Sequence, residues 1–461
     1  MSADTVAARQ SWAEFGRRLR TLRRSAGLTQ RQLALRVGYH HTLISKLEGG
    51  VREPPAGLPL RLDSLLGSRG ELLAILAGRP DVHHAVPMLP ATLFSTTPQG
   101  AADPAPPQPV HHWPTRLVSC PLHGGGDCEV PPLADALTLL TAADGDHGRT
   151  AMWPGTDADA MHALTALIVG YTQDGLESVS TETVGSVERV LRVVVRWAET
   201  LNRHGTLPVP QLRLAAECAQ IAGWLRVERG QRILGMAWFA RGLTWADVAD
   251  DVVARATLLC DVCTLVRLDG DGASALAYAQ ELEAVDPRRV WMVAMSHLHQ
   301  ARARALGGDL AECRKRVVLS RRALDRLDGR DFLEAPWLAG ATGRLQVEAS
   351  IGGTLRDAAA ITGDLWVARQ AVKATEASLS CLPATHRPTV LLLTLRLADA
   401  FVCSGQLDAA VAAAASVLPE AVAADRTSVN RELDGLRTRL TTRYPGAREA
   451  RSLLEQLPYR V

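Results

Sequence analysis

The sequence predicts an all-α protein, and three observations carry that expectation. Ala and Leu are abundant, whereas Tyr and Phe number 5 each and Trp 10, a balance that favours helices over sheets. Apolar residues recur at helical spacing, as at Val187, Val190, Leu191, Val194, Ala198 and Leu201, and again at Leu407, Ala410, Val411, Ala414 and Val417, which gives each segment one buried face. Gly and Pro gather between these blocks, where they end helices rather than break them. A chain of 461 residues exceeds what one core organises, so more than one domain is expected.

From the N-terminus, residues 11–78 read as short helices punctuated by Gly: WAEFGRRLRTLRRSAG, LTQRQLALRVG, HHTLISKLEGG, LPLRLDSLLG and GELLAILAG. Periodicity stops at Pro80, and as far as Pro132 the chain accumulates Pro, Gly, His and Ser, as in TTPQGAADPAPPQP, which is linker composition. The expected organisation is a five-helix module over residues 1–78, a linker over 79–132 and a large helical domain over 133–461. In the last of these, Gly230, Gly270, Gly308, Gly363 and Gly405 recur at intervals of 40, 38, 55 and 42 residues. Gly308-Asp309-Leu310, Gly363-Asp364-Leu365 and Gly405-Gln406-Leu407 each open an Ala-rich helix. A helix, a Gly turn and a second helix at that period are the signature of an α-solenoid of helical hairpins. Pairs are expected near 209–246, 248–285, 288–327, 336–381 and 386–423, with a terminal pair near 427–457 as the cap; one insertion explains the interval of 55. The alternative is an irregular helical bundle without true repeats.

Charge is distributed unevenly. The net charge of +2 hides a basic end: residues 1–80 carry 13 Lys+Arg against 6 Asp+Glu, net +7, which leaves residues 81–461 at net −5. A small basic module joined to a large acidic one suggests a phosphate-bearing partner for the basic end. A charged helix face is usually only solvated, so the inference needs a motif.

Residues 27–55, GLTQRQLALRVGYHHTLISKLEGGVREPP, supply one. Thr29 is placed to cap a helix whose inward face is Leu33, Ala34 and Val37, Gly38 makes the turn, and a second helix buries Ile44 and Leu47. Helix, turn and helix within about twenty residues is a geometry that reads DNA. The run LTQ, Ala34, Gly38, the I-S-K-L-E-x-G ending, Pro54 and Pro55, and the preceding L-R-x-L-R over residues 19–23 resemble the Cro and lambda-repressor-like helix-turn-helix regulators, also called XRE-type, across residues 12 to about 78. The resemblance implies that His41, Thr42, Ser45 and Lys46 face base edges, with His40 at the N-cap. It places Gln30, at the start of the preceding helix, and His40 against phosphate, and it pairs Arg23 with Glu48 to fix the first helix on the recognition helix. Tyr39, His40 and His41 depart from the family's usual residues and leave the sequence preference open.

The acidic region resembles the tetratricopeptide-like domain that follows such a module in many bacterial regulators, with AECAQIAGWLRVERG at 216–230 as the best local match. Peptide-sensing members hold a peptide backbone with Asn side chains. Here Asn occurs only at 202 and 430, which counts against a peptide pheromone as effector. Trp197, Trp224, Trp238 and Trp245 offer an apolar wall for a small apolar or aromatic effector, the alternative being that these rings only pack helices together.

His111, His112, Cys120, His123 and Cys128 fall in the Pro- and Gly-rich segment. C-x2-H-x4-C offers soft ligands for zinc, Cys120, His123 and Cys128, but its spacing matches no common finger and three ligands fall short of the usual four, so an unliganded segment and no cofactor are expected. Cys260 and Cys263 form a CxxC inside the apolar run TLLCDVCTLV and read as packing. No phosphate loop, dinucleotide fingerprint, HExxH or nucleophile elbow occurs, so no catalysis is expected. The first residues lack an apolar signal core, and VLLLTLRLADAFV is broken by Arg396 and Asp399, so a soluble cytoplasmic, nucleoid-associated protein with no membrane partner is expected. The functional expectation is a homodimeric transcriptional regulator that binds double-stranded operator DNA and is controlled through its helical domain by a small effector or a protein partner. The rival is a helical-repeat adaptor that binds proteins, with DNA minor or absent.

Overall fold

The computed structural model describes residues 3–37, 41–52, 54, 58–68, 70–76, 89–96, 110–123, 127–145, 157–382, 386–424 and 426–457. The fold is all-α. Contacts divide the chain into two units, Met1–Pro90 with Thr200–Leu207, and Ala91–Glu199 with Pro208–Val461.

The first unit contains α1 (Ala3–Ser25), α2 (Gln30–Arg36), α3 (His41–Glu48), α4 (Leu58–Leu66) and α5 (Glu71–Leu76). Thr29 and Gln32 start α2 reciprocally: the Thr29 Oγ1 accepts the Gln32 backbone N–H at 3.2 Å, and the Gln32 side-chain oxygen accepts that of Thr29 at 2.9 Å. Two N–H groups that the helix leaves unpaired are thereby satisfied. Asp63 does the same for α5, accepting the N–H groups of Leu72 and Leu73 at 3.0 Å each. Phe15, Leu19, Leu33, Ala34, Val37, Ile44, Leu47, Leu58, Leu62 and Leu72 close one small core.

The second unit opens with a 3-10 turn, Ala91–Phe94, and two short strands, β1 (Arg116–Leu117) and β2 (Cys128–Glu129). They pair antiparallel, Arg116 opposite Glu129 and Leu117 opposite Cys128. Part of the segment whose composition reads as linker is therefore ordered. It runs beside α7 (Asp157–Glu177), which α6 (Leu133–Gly145) precedes. The His111 N–H donates to Asp174 at 3.2 Å, and His112 Nε2 lies 3.0 Å from Glu177. At Gly170 a Cβ would come within 2.2 Å of the Val110 side chain and 2.9 Å of the His112 carbonyl, so a residue without a side chain permits this close approach.

After α8 (Thr181–Arg203) the helices come in consecutive antiparallel neighbours: α9 (Val209–Glu228) with α10 (Arg232–Val248), α11 (Val252–Leu268) with α12 (Gly272–Val285), and α13 (Val290–Leu306) with α14 (Leu310–Leu324). The insertion expected from the long Gly interval is α15 (Gly329–Glu334) and a 3-10 turn, Pro336–Leu338. Then follow α16 (Gly340–Thr362) with α17 (Leu365–Ser380), α18 (Arg387–Ser404) with α19 (Leu407–Ala415), α20 (Leu418–Ala423), and finally α21 (Thr427–Arg443) with α22 (Arg448–Gln456). Each pair's first helix also touches the next pair's first helix: α9 meets α11, α11 meets α13, α13 meets α16 and α16 meets α18. The repeated Gly-Asp-Leu signature has a physical cause. Gly308 turns left-handed at φ 70°, Asp309 accepts the Glu312 N–H at 3.1 Å, and Asp364 repeats the cap with Val367 at 3.0 Å.

The last helices return to the first. α18 touches α7 and α21 touches α9; Arg426 donates to the Leu176 carbonyl at 2.9 Å, and Arg431 donates to that of Leu268 at 2.5 Å. The packing of α18 against both α16 and α21 buries charge. Arg356 of α16 reaches Asp399 of α18 at 2.6 Å and Glu432 of α21 at 2.5 Å, Arg396 reaches Glu432 at 2.9 Å, and Arg439 grips Asp399. Burial raises the Glu432 carboxyl, but the guanidinium groups of Arg356 and Arg396 outweigh it and hold the group well below the usual carboxylate range.

Candidate nucleic-acid interface

α3 is short and strongly two-sided. Leu43, Ile44, Leu47 and Glu48 are buried, while Thr42, Ser45 and Lys46 are exposed and His41 is half-buried at its start. Leu43, Ile44 and Leu47 fall at the i, i+1 and i+4 positions of one helix face, so the hydrophobic effect alone turns Thr42, Ser45 and Lys46 outward. Three of these, with His41, are the residues the sequence assigns to base edges. His40, at the N-cap, and the turn at Gly38 and Tyr39 lie outside the described residues. Arg17, Arg20, Arg24, Arg31 and Arg52 are exposed on the same unit and add to its positive charge.

Glu48 fixes the orientation of α3. Its carboxylate is buried and accepts from Arg23 through Nε at 2.5 Å and Nη2 at 3.0 Å, a bidentate pair. Arg20 Nε adds a longer contact at 3.4 Å, and Arg23 Nη1 also donates to the Leu28 carbonyl at 2.7 Å. Burial pushes the Glu48 carboxyl up, but hydrogen bonds from Arg23 and Gln30 and the Arg23 charge bring it below its ordinary value. The Arg23 guanidinium is raised by its hydrogen bond to Glu48.

Gln30 has a structural bond besides the role read for it in the sequence. Its Nε2 donates to Glu48 Oε2 at 2.8 Å, so the side chain ties α2 to α3 as well as lying at the helix start where phosphate is expected. Close approach completes the arrangement. A Cβ at Gly16 would meet the Leu47 carbonyl oxygen at 2.3 Å, and Gly50, at φ 65°, lies with its Cβ position 2.6 Å from Ala13 Cα. The Gly that ends the I-S-K-L-E-x-G run is thus required both by backbone conformation and by contact with α1.

A family model for a helix-turn-helix domain matches residues 14–76. Residues 14–76 form a helix-turn-helix domain. No curated protein and no solved structure matches the chain.

Outside the helix-turn-helix domain, the other residues singled out in the sequence take these places. Trp197, Trp238 and Trp245 are buried and Trp224 is half-buried. The Trp238 N–H donates to Glu188 at 2.9 Å and the Trp245 N–H to the Leu93 carbonyl at 2.7 Å. Both indole N–H groups thus already have partners. A cleft of about 670 Å³ lies elsewhere, lined by Val130, Pro131, Pro132 and Leu139 with Glu129, Asp135 and Asp159, and none of the four Trp lines it. Cys260 and Cys263 lie in α11, where burial pushes both thiols up, that of Cys263 to about 12, the opposite of the lowered value that activates a thiol. Cys120, His123 and Cys128 come together around the β1–β2 turn, and α7 adds His162, which the sequence reading did not include. His162 is 34 residues beyond Cys128, too far for any ligand spacing to reveal. Among the described residues no helix is long and apolar enough to cross a membrane.

Proposed function

We propose that this protein is a sequence-specific DNA-binding transcriptional regulator of the XRE type, which reads operator DNA with α3 as a homodimer. The observation that carries this reading is α3 itself. Thr42, Ser45 and Lys46 stand exposed in a row, and the buried Glu48 bonds to both preceding helices. A helix fixed rigidly with short polar and cationic side chains outward suits the major groove, where such groups meet base acceptors. In this reading His41 joins the base-reading set, and Gln30 and His40 lie against phosphate.

The helical unit is read as a tetratricopeptide-like solenoid, supported by contacts between the first helices of successive pairs. Its role is control: an effector or protein partner that prefers one helix arrangement shifts DNA affinity by its differential affinity. The chain carries no catalytic role in this reading. Titration of DNA affinity against salt tests it. A regulator making several phosphate contacts gives a steep linear log–log dependence, with a preferred sequence bound about 10³-fold or more above random DNA. Weak binding with no preferred sequence would instead favour the protein-binding adaptor.

A further inference from the structure

We propose that Cys120, His123, Cys128 and His162 form a structural zinc site that clamps the β1–β2 hairpin to α7. One ligand atom from each of the four residues lies within 4.8 Å of every other. His123 Nδ1 is 3.4 Å from Cys120 Sγ and 3.2 Å from Cys128 Sγ. With Zn–S near 2.3 Å and Zn–N near 2.0–2.1 Å, sulfur and nitrogen on one tetrahedral ion lie about 3.5 Å apart. The observed separations are therefore those of the edges of a coordination tetrahedron.

His162 supplies the second, independent observation. Its Nε2 is buried with no hydrogen-bond partner, although a buried ring nitrogen ordinarily has one. The imidazoles of His123 and His162 converge at a centroid distance of 5.4 Å. Among the described residues the strands are two residues each, and the local core amounts to Leu117, Cys120 and Ala166 with Trp113, Leu122, Cys128 and Val130 at its edge. So small a cluster does not organise a hairpin without a staple.

The donor set selects the metal. Two thiolates and two neutral imidazoles in a tetrahedral S2N2 arrangement match zinc, and their charge cancels that of Zn²⁺. A neutral centre suits the apolar surroundings of Leu117, Ala166 and Leu122. Binding releases the two thiol protons, so affinity falls as pH is lowered. The site also gives the ordered part of the segment that reads as linker a physical reason: the metal holds Cys120, His123 and Cys128 against α7 at one end, while Gly170 admits Val110 farther along the same helix.

Elemental analysis of the full chain, expressed with zinc and purified without a metal-affinity tag, is expected to give about one zinc per chain. Cys128→Ser and His162→Ala are each expected to lose it, while Cys260→Ser retains it. Cobalt substitution should give tetrahedral ligand-field bands together with thiolate charge transfer, absent from Cys120→Ser. In the unmutated protein, a mercurial that releases the zinc should modify two thiols per metal, located by mass spectrometry at Cys120 and Cys128; this measurement stands even where a variant fails to fold. Folded protein without zinc, full zinc in folded His162→Ala, or release that tracks other cysteines overturns the proposal. A Cys120–Cys128 disulfide in protein purified anaerobically overturns it as well.

Discussion

Individual side chains on α3 divide into exposed ones, which the proposed function assigns to base reading, and buried ones, which hold the helix in place. Lys46 and Thr42 are exposed, so Lys46→Ala and Thr42→Ala should each cost about 1–3 kcal/mol on the preferred site and relax base preference there. Gln30→Ala should weaken all DNA sequences alike. Competition binding against single-base operator variants distinguishes these patterns, and equal losses for Lys46→Ala on specific and random DNA would contradict the base-reading role. Glu48 belongs to the holding class. Glu48→Ala strands the buried Arg23 guanidinium and should cost about 3–5 kcal/mol, read as lost hydrogen-exchange protection in α2 and α3. Because the folded Glu48 carboxyl is depressed, its contribution is present above its unfolded value and disappears as pH falls through the lower folded one. Exchange protection of these helices should therefore weaken at acid pH in the natural protein and lose part of that dependence in Glu48→Gln.

At the scale of elements, the crossing of α1 and α3 depends on a missing side chain. Gly16→Ala would drive a methyl into the Leu47 carbonyl oxygen, now 2.3 Å from that position, and neither backbone can yield without moving a helix. Overpacking of this kind costs about 1–3 kcal/mol. Thermal unfolding followed by exchange in residues 14–76 should show the loss confined to the helix-turn-helix domain, with α9 to α19 unchanged; equal protection in the variant would mean that the crossing adapts. Helix pairs α9–α10 through α18–α19 lie close to the spans read from sequence because each is set by local signals. An apolar stripe gives the buried face, Gly405 with φ 84° ends α18, and Asp caps such as Asp364 start the next helix. His162 and the Arg356–Asp399–Glu432 network were not legible in this way. A charged residue inside an amphipathic helix has the sequence signature of a solvated face, and the packing of α21 against α18, with Arg356 reaching in from α16, takes Asp399 and Glu432 out of water.

For the molecule as a whole, DNA reading by a two-fold dimer sets a distance. Two copies of α3 should then be about 34 Å apart, one turn of duplex or a multiple of it. The preferred DNA should accordingly be an inverted repeat whose half-sites share one face. Sedimentation of the protein with and without its selected DNA, together with footprinting, checks this, and a monomer protecting a single half-site would exclude the symmetric arrangement. Trp238 and Trp245 illustrate the converse limit: their seven-residue spacing shows that they share a helix face but not what that face meets. Here the two indole N–H groups are taken by Glu188 and by the Leu93 carbonyl, residues 50 and 152 positions away.

By itself the sequence determined what nearest neighbours along the chain decide: the all-α class, the helix-turn-helix motif, the helix pairs and their turns, and the basic end beside an acidic remainder. These follow from periodicity, caps and turn residues, whose energies act over three or four positions. Tertiary structure alone decided which distant groups share one environment. It placed Gln30 on Glu48, buried an Arg–carboxylate network that reads as surface charge, and brought His162 to Cys120, His123 and Cys128. Such meetings depend on how helices pack across tens of residues, where hydrophobic burial sets the contact and no local spacing records which polar groups it carries together.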